Sequence, residues 1–194
     1  HGGGGGVGTA ALQLCQWAGV TKVWSTASAG KADIIRSYDA VAIDRHNENF
    51  VEIVRSQTNG RGVDHILDPI GGEHLKRSLS VLAQGGKLYT YGMSSAAPSS
   101  KRSLWKALKA LRSRPRFDPM LMMSRNQGVF GVHMGTWIDE DVMQEQMQNI
   151  LKGIKEGALT PIIDSIYDAK DVAKAHQHIH DGKNIGKVLL KFVE

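Results

Sequence analysis

The chain opens HGGGGGVG and runs straight on into TAALQLCQWAGV. Gly3, Gly5 and Gly8 stand there at the spacing G-x-G-x-x-G. At that spacing the first glycine turns the chain tightly and the second lets backbone approach a diphosphate. The third lets the following helix pack close to a sheet. Amide groups at the mouth of that helix, over Gly6–Thr9, and the positive end of its dipole then attract phosphate charge. The chemistry on offer is main-chain binding of a dinucleotide pyrophosphate. Five consecutive glycines also satisfy the pattern by composition, so elements further on must carry the case.

A second feature lies at the end of the next strand. Domains specific for NAD place an Asp or Glu about 20 residues beyond the loop, on the ribose hydroxyls. Counting on from Gly8 reaches TASAGK, where Ala27, Ser28 and Ala29 stand and no acid does. Ser28 can donate to a phosphate, and Lys31 and Arg45 add positive charge. An acid would repel a 2′-phosphate and this set attracts it, so NADP(H) is expected over NAD(H).

Other chemistries find no residues to run them. None of Tyr38, Tyr89, Tyr91 and Tyr167 is followed four residues on by lysine, as a Tyr-x-x-x-Lys dehydrogenase requires. GKA, GKL, GKN and GKV all fail the P-loop requirement for Gly-Lys-Ser/Thr. Cys15 is the single cysteine, which excludes an internal disulfide and a multi-cysteine zinc site and suits a reducing, cytoplasmic compartment. In HQHIH, His176 and His180 lie one helical turn apart without an evident third ligand, so no zinc is expected. His176 is expected to be partly buried beside Ala175 and Ile179, with His178 and His180 solvated.

The elements that must position these residues alternate in type. Val7, Ala10, Ala11, Leu14, Cys15 and Ala18 recur at helical spacing over 7–18. Strands are expected at 22–27, 40–43, 64–68, 85–92, 128–134 and 186–193. Helices are expected at 31–37, 47–58, 72–83, 103–113, 139–156 and 168–181, with 157–164 a turn and an extended stretch. Strands alternating with helices imply crossovers, a parallel sheet and helices on both faces. Ligands of such sheets bind at the carboxyl ends of the strands.

Bulk numbers bound the rest. The 194 residues suit one domain, 1–194, and 41% hydrophobic with 22% charged residues reads as globular. No apolar run approaches the length of about 18 residues needed to cross a bilayer. The net charge of +5 is local: Lys101, Arg102, Lys106, Lys109, Arg112, Arg114 and Arg116 fall in one acid-free segment, and the rest of the chain is net negative. No nucleic-acid surface is expected. Leucines and basic residues on opposite sides of 103–113 suggest instead an alternative, a non-catalytic nucleotide-binding module contacting a membrane surface or protein partner.

Taken in order, HGGGGGVGTAALQL, STASAGK, GRGVDHILDPIGGE, GGKLYTYG and NIGKVLL resemble the medium-chain dehydrogenase/reductase superfamily, in its zinc-independent quinone oxidoreductase branch. RFDPMLMMSRNQGVFGVHMG further resembles the vesicle amine transport protein-like subgroup. The resemblance implies a Rossmann-type, doubly wound parallel sheet in three αβα layers. It implies a cofactor domain that moves hydride between nicotinamide and a quinone, enone or similar carbonyl substrate. Gly3, Gly5, Gly6, Val7 and Gly8 would hold the pyrophosphate, and Ser28, Lys31 and Arg45 the 2′-phosphate. Asp68, Ile70, Gly92, Phe130, Gly131 and Val132 would line the nicotinamide half, and Asn184, before the terminal strand, would contact the cofactor.

Two parts of the family pattern are missing from these residues: the N-terminal catalytic, GroES-like domain, and the first strand of the cofactor domain. Catalytic residues are therefore unassigned, and these residues by themselves are expected to be inactive. Upstream sequence supplies the first strand, or KVLLKFV, the only spare apolar strand, fills its place. The resemblance also implies a homodimer paired through the edge strand near 128–134.

Overall fold

The computed structural model describes residues 1–94 and 115–192, and the basic segment expected as a helix over 103–113 lies outside them. In chain order the first elements are α1 (Gly6–Trp17), β1 (Trp24–Ala27), α2 (Ala32–Arg36), β2 (Val41–Asp44), α3 (Phe50–Gln57), β3 (Val63–Asp68), α4 (His74–Ser80) and β4 (Leu82–Thr90). There follow α5 (Pro119–Arg125), β5 (Gly128–Gly131), α6 (Glu140–Lys155), β6 (Ile163–Asp168), α7 (Val172–His180) and β7 (Lys187–Lys191). These residues form two compact units. One comprises Gly2–Glu48 and Ile138–Glu194; the other comprises His1 and Asn49–Trp137.

Every strand pairing is parallel, as the alternation requires. In the first unit β1 pairs β2 from Trp24↔Val41 to Ala27↔Asp44, and β6 pairs β7 from Ile163↔Lys187 to Asp168↔Lys191. Its core gathers Leu12, Ala27, Ile35 and Ala40, with Val23, Ile34, Tyr38 and Ala42 packed against them. In the second unit the strand order is β3-β4-β5, with Asp68↔Thr90 and Thr90↔Gly131 level at the carboxyl ends. Ile66, Leu75, Val81, Leu82, Ala83 and Leu88 are buried there. The Asn49 side chain accepts from Val51 N–H and starts α3, whose Phe50 and Val54 turn inward.

Four expectations need correction. α1 does not bury its apolar stripe: Gly8, Thr9, Leu12 and Gln13 are buried, while Val7 and Leu14 are exposed. The polar pair is accommodated because every polar atom finds backbone. Thr9 Oγ1 donates to Gly5 O, and Gln13 gives Nε2–H to Thr160 O at 2.9 Å while accepting Thr160 N–H at 2.6 Å. Second, residues 163–168 are a full strand, so β7 has a partner in β6 and is not spare. Third, β5 stops at Gly131, and a 3₁₀ turn at Met134–Thr136 replaces the rest of the expected strand.

The fourth concerns HQHIH. His178 is the shielded member, its Nε2 lying 2.8 Å from Asp164 Oδ2, and His176 is exposed. Burial pushes the Asp164 carboxyl upward, but the Ile185 N–H and the His178 ring hold it below the usual range. The ring turns toward β6 because an acid waits there, which helical spacing cannot reveal.

Helix α5 has no counterpart among the expected elements. Asp118 caps it by accepting from Met120 N–H, Pro119 occupies its first turn, and Asn126 ends it in the left-handed region at φ 51°. Asp-Pro at one end and Asn at the other are the start and stop signals that would have found it.

Candidate functional site

The glycine loop is fixed by backbone on every side within its unit. Gly2 and Gly3 both donate to Thr26 O on β1, at 2.9 and 3.1 Å, and Gly5 N–H donates to Gly2 O at 3.0 Å. Gly186 N–H donates to Gly4 O at 3.0 Å, and Gly5 and Gly186 form a parallel bridge. Gly5 is the extended N-cap of α1, and Thr9 N–H closes on Gly5 O at 2.9 Å. The amides of Gly6, Val7 and Gly8 then occupy the first turn, where a helix has no carbonyl of its own to offer. No acid stands in that turn.

The three motif glycines have different reasons for lacking a side chain. A Cβ on Gly3 would overlap Ser25 Oγ, and one on Gly8 would overlap Gly2 O and lie 2.6 Å from Gly3 Cα. Those two are demanded by the protein's own packing. A Cβ on Gly5 meets nothing nearer than Gly2 O at 3.5 Å, an ordinary contact. Protein packing does not require glycine at this position, and the space it leaves open suits a diphosphate drawn close to backbone. The loop therefore fits the dinucleotide that its spacing suggests.

Ser28, Lys31, Arg45 and Asn184 come together in the same unit. Ser28 follows the last residue of β1 and caps the 3₁₀ turn Ala29–Lys31; Arg45 follows β2 and donates its N–H to Ala27 O at 2.8 Å. Lys31 Nζ donates to the Asn184 carbonyl, and Asn184 Nδ2 donates to Gly186 O at 2.8 Å. Burial lowers the Lys31 pKa first, and the nearby Arg45 charge lowers it further, against a smaller opposing pull from Asp164. Two cations held side by side mark a place suited to an anion.

Sequence reasoning missed Lys187. Its side chain lies against the loop, with Cδ and Cε 2.5 and 2.8 Å from where a Gly6 Cβ would stand. The signal was present in NIGK, from which only Asn184 was taken.

The other expected residues lie in the second unit, at the level carboxyl ends of β3, β4 and β5. Asp68 is fully buried, and it spends its carboxylate inside the protein. Oδ1 accepts from Ile70 N–H at 2.7 Å and Gly71 N–H at 3.1 Å; Oδ2 meets Ser78 Oγ at 2.8 Å and His74 Nδ1 at 3.0 Å. Burial pushes this carboxyl up, but those hydrogen bonds outweigh it and hold it below the usual range. Asp68 thus shapes the loop after β3, which can offer a ligand backbone and the Ile70 side chain. Gly92 packs against that loop, a Cβ there falling 2.7 Å from Pro69 O. Phe130 and Gly131 end β5, exposed, and Val132 N–H donates to Thr90 O at 2.9 Å.

A cysteine-based metal site does not fit. Cys15 is half-buried on α1, and burial raises its thiol pKa. Among the described residues, the potential metal ligands that converge are His1, Asp68 and His74. No helix among the described residues is long and apolar enough to cross a membrane.

The synaptic vesicle membrane protein VAT-1 homolog of Rattus norvegicus is 32% identical over 189 residues, covering 96% of this chain and 46% of the relative. The human VAT-1 homolog is 31% identical, with 96% and 48% covered. The chain thus spans about half the length of the curated relatives it matches. The crystal structure of the human VAT-1 homolog-like protein superposes with TM-score 0.74 at 25% identity, over all of this chain and 52% of that one. A quinone oxidoreductase structure from Pseudomonas syringae pv. tomato DC3000 reaches TM-score 0.74 at 23% identity, over 97% of this chain and 54% of that one, which shows the fold. Residues 38–190 match the family described as zinc-binding dehydrogenase. The parallel α/β architecture, the pinned glycine loop and that match together place the chain in the zinc-binding dehydrogenase family of the medium-chain dehydrogenase/reductase superfamily, on its quinone oxidoreductase and VAT-1-like branch.

Proposed function

We propose that the chain binds NADP(H) in preference to NAD(H), as the cofactor-binding part of an oxidoreductase acting on a quinone, enone or similar carbonyl compound. The observation that carries the proposal is the open position at Gly5, in a loop pinned by backbone hydrogen bonds and otherwise filled by neighbouring atoms. Bound nicotinamide supplies the hydride chemistry. Gly3, Gly5, Gly6, Val7 and Gly8 form the diphosphate cradle, and Lys187 adds a cation beside Gly6. Ser28, Lys31 and Arg45 receive the 2′-phosphate. Ile70, Gly92, Phe130, Gly131 and Val132 serve the nicotinamide half, and Asp68 acts there by shaping its loop. Asn184, in the other unit, receives Lys31 on its carbonyl and contacts the cofactor.

Fluorescence titration of the chain with NADPH and NADH tests this. Arg45→Ala and Lys31→Ala weaken NADPH binding about 10-fold or more each and leave NADH within about threefold, the size expected for losing one charge-assisted phosphate contact. Lys187→Ala weakens both nucleotides alike, because both carry the diphosphate. Equal affinity of the unaltered chain for the two nucleotides removes the 2′-phosphate assignment, and no binding of either removes the proposal.

The same reading includes pairing of two copies through β5, an edge of its three-stranded ladder with Phe130 exposed. Sedimentation at micromolar concentration is expected to show a dimer, and Val129→Pro to shift it to monomer. A monomer throughout removes the pairing.

A further inference from the structure

We infer that His1, Asp68, His74 and Ser78 form a binding site for one divalent transition-metal ion of the zinc class. The cluster lies within one unit and draws on separate elements: Asp68 closes β3, and His74 and Ser78 stand one turn apart on one face of α4. Their ligand atoms already crowd a common point. Asp68 Oδ2 is 3.0 Å from His74 Nδ1 and 2.8 Å from Ser78 Oγ. Ser78 Oγ is 3.1 Å from His1 Nε2 and 3.5 Å from His74 Nδ1. The His1, Asp68 and His74 ligand atoms all lie within 4.8 Å of one another.

Four ligands about 2.1 Å from a tetrahedral ion stand roughly 3.4 Å apart. The hydrogen-bonded separations straddle that spacing, and the others, up to 4.8 Å, shorten by as much as about 1.4 Å when an ion enters. Two imidazoles with a carboxylate and a hydroxyl suit Zn²⁺, Co²⁺ or Ni²⁺ rather than the all-oxygen shell of Ca²⁺ or Mg²⁺.

The surroundings are those of a prepared ligand set. Oδ1 of Asp68 is held by two backbone amides, which aims Oδ2 at the cluster before anything binds. Phe50 stacks on the His74 ring at 5.2 Å and 28°, and meets His1 edge-on at 4.7 Å, fixing both rings on an apolar wall. The neighbouring cation, Arg77, lies over the far partner Phe50 and is tied to Asn49 Oδ1 at 3.0 Å. Asp68 and Ser78 are fully buried, while His74 keeps 18% of its side chain exposed, which leaves a way in. Asp68 also shapes a loop of the dinucleotide reading, but the inference does not rest on that reading and uses no dinucleotide in its test.

The full chain, stripped with EDTA and desalted, is titrated with CoCl₂ while visible absorption is followed. One equivalent is expected, with the intense d–d bands of tetrahedral cobalt, and ZnCl₂ bleaches them. His74→Gln keeps a hydrogen-bonding side chain toward Asp68 and is expected to lose the bands, with uptake weakened about 100-fold. Circular dichroism confirms that this variant is folded, and Ser78→Ala serves as a second variant expected to alter the bands if His74→Gln unfolds. The pair His176→Ala and His180→Ala, on α7, leaves the bands unchanged. Absence of stoichiometric uptake overturns the inference. So does a signal that survives in both cluster variants, or one that vanishes with the α7 histidines, which marks surface-histidine binding only.

Discussion

Gly5→Ala is expected to leave the chain folded and to remove its dinucleotide binding, whereas Gly8→Ala removes the fold of the loop itself. The two substitutions add the same methyl group three residues apart. At Gly5, with φ −86° and ψ 173°, alanine is conformationally comfortable and meets only Gly2 O at 3.5 Å. The cost to stability is that of a poorer N-cap, about 1 kcal/mol or less. The methyl instead occupies the space proposed for the diphosphate, so affinity for NADPH and NADH falls at least about 10-fold together. At Gly8 the methyl collides with Gly2 O and Gly3 Cα, backbone that hydrogen bonds to β1 hold in place. Overpacking against atoms that cannot move aside costs about 3 kcal/mol or more. Urea denaturation and nucleotide titration of both variants separate the outcomes. A Gly5→Ala chain that binds nucleotide as well as the original would mean that the open position serves nothing.

The largest loss of stability is expected from Asp68→Ala. Its carboxylate, itself fully buried, receives two backbone amides, the Ser78 hydroxyl and the His74 ring. Removing the acceptor strands these donors together, at a cost of about 3–5 kcal/mol. Asp68→Asn retains one acceptor oxygen for Ile70 and Gly71 and loses about half as much. A midpoint shift for Asp68→Ala no greater than for a surface alanine substitution such as Asp33→Ala would show that these bonds carry little. Because the affected unit includes α4 and the loop after β3, hydrogen exchange should locate the change there.

Local order was legible in the chain. The glycine spacing and the alternation of strand and helix each depend on residues close in sequence, and each has its counterpart in the structure. What stayed hidden depends on partners far away. α1 buries Thr9 and Gln13 because Thr160, remote in sequence, supplies the matching backbone groups for Gln13. His178 is shielded because Asp164 sits on the neighbouring strand. Lys187 reaches the glycine loop only because β7 begins beside it, and no periodicity encodes that meeting. α5 differs, since its Asp118, Pro119 and Asn126 were readable signals.

Gly186 clips Gly4 and Gly5 across about 180 intervening residues. Contacts between such distant positions form late and slowly compared with neighbours on one helix. A nascent chain emerging from the ribosome would therefore display its glycine loop unclipped on that side until the NIGK stretch had been synthesised.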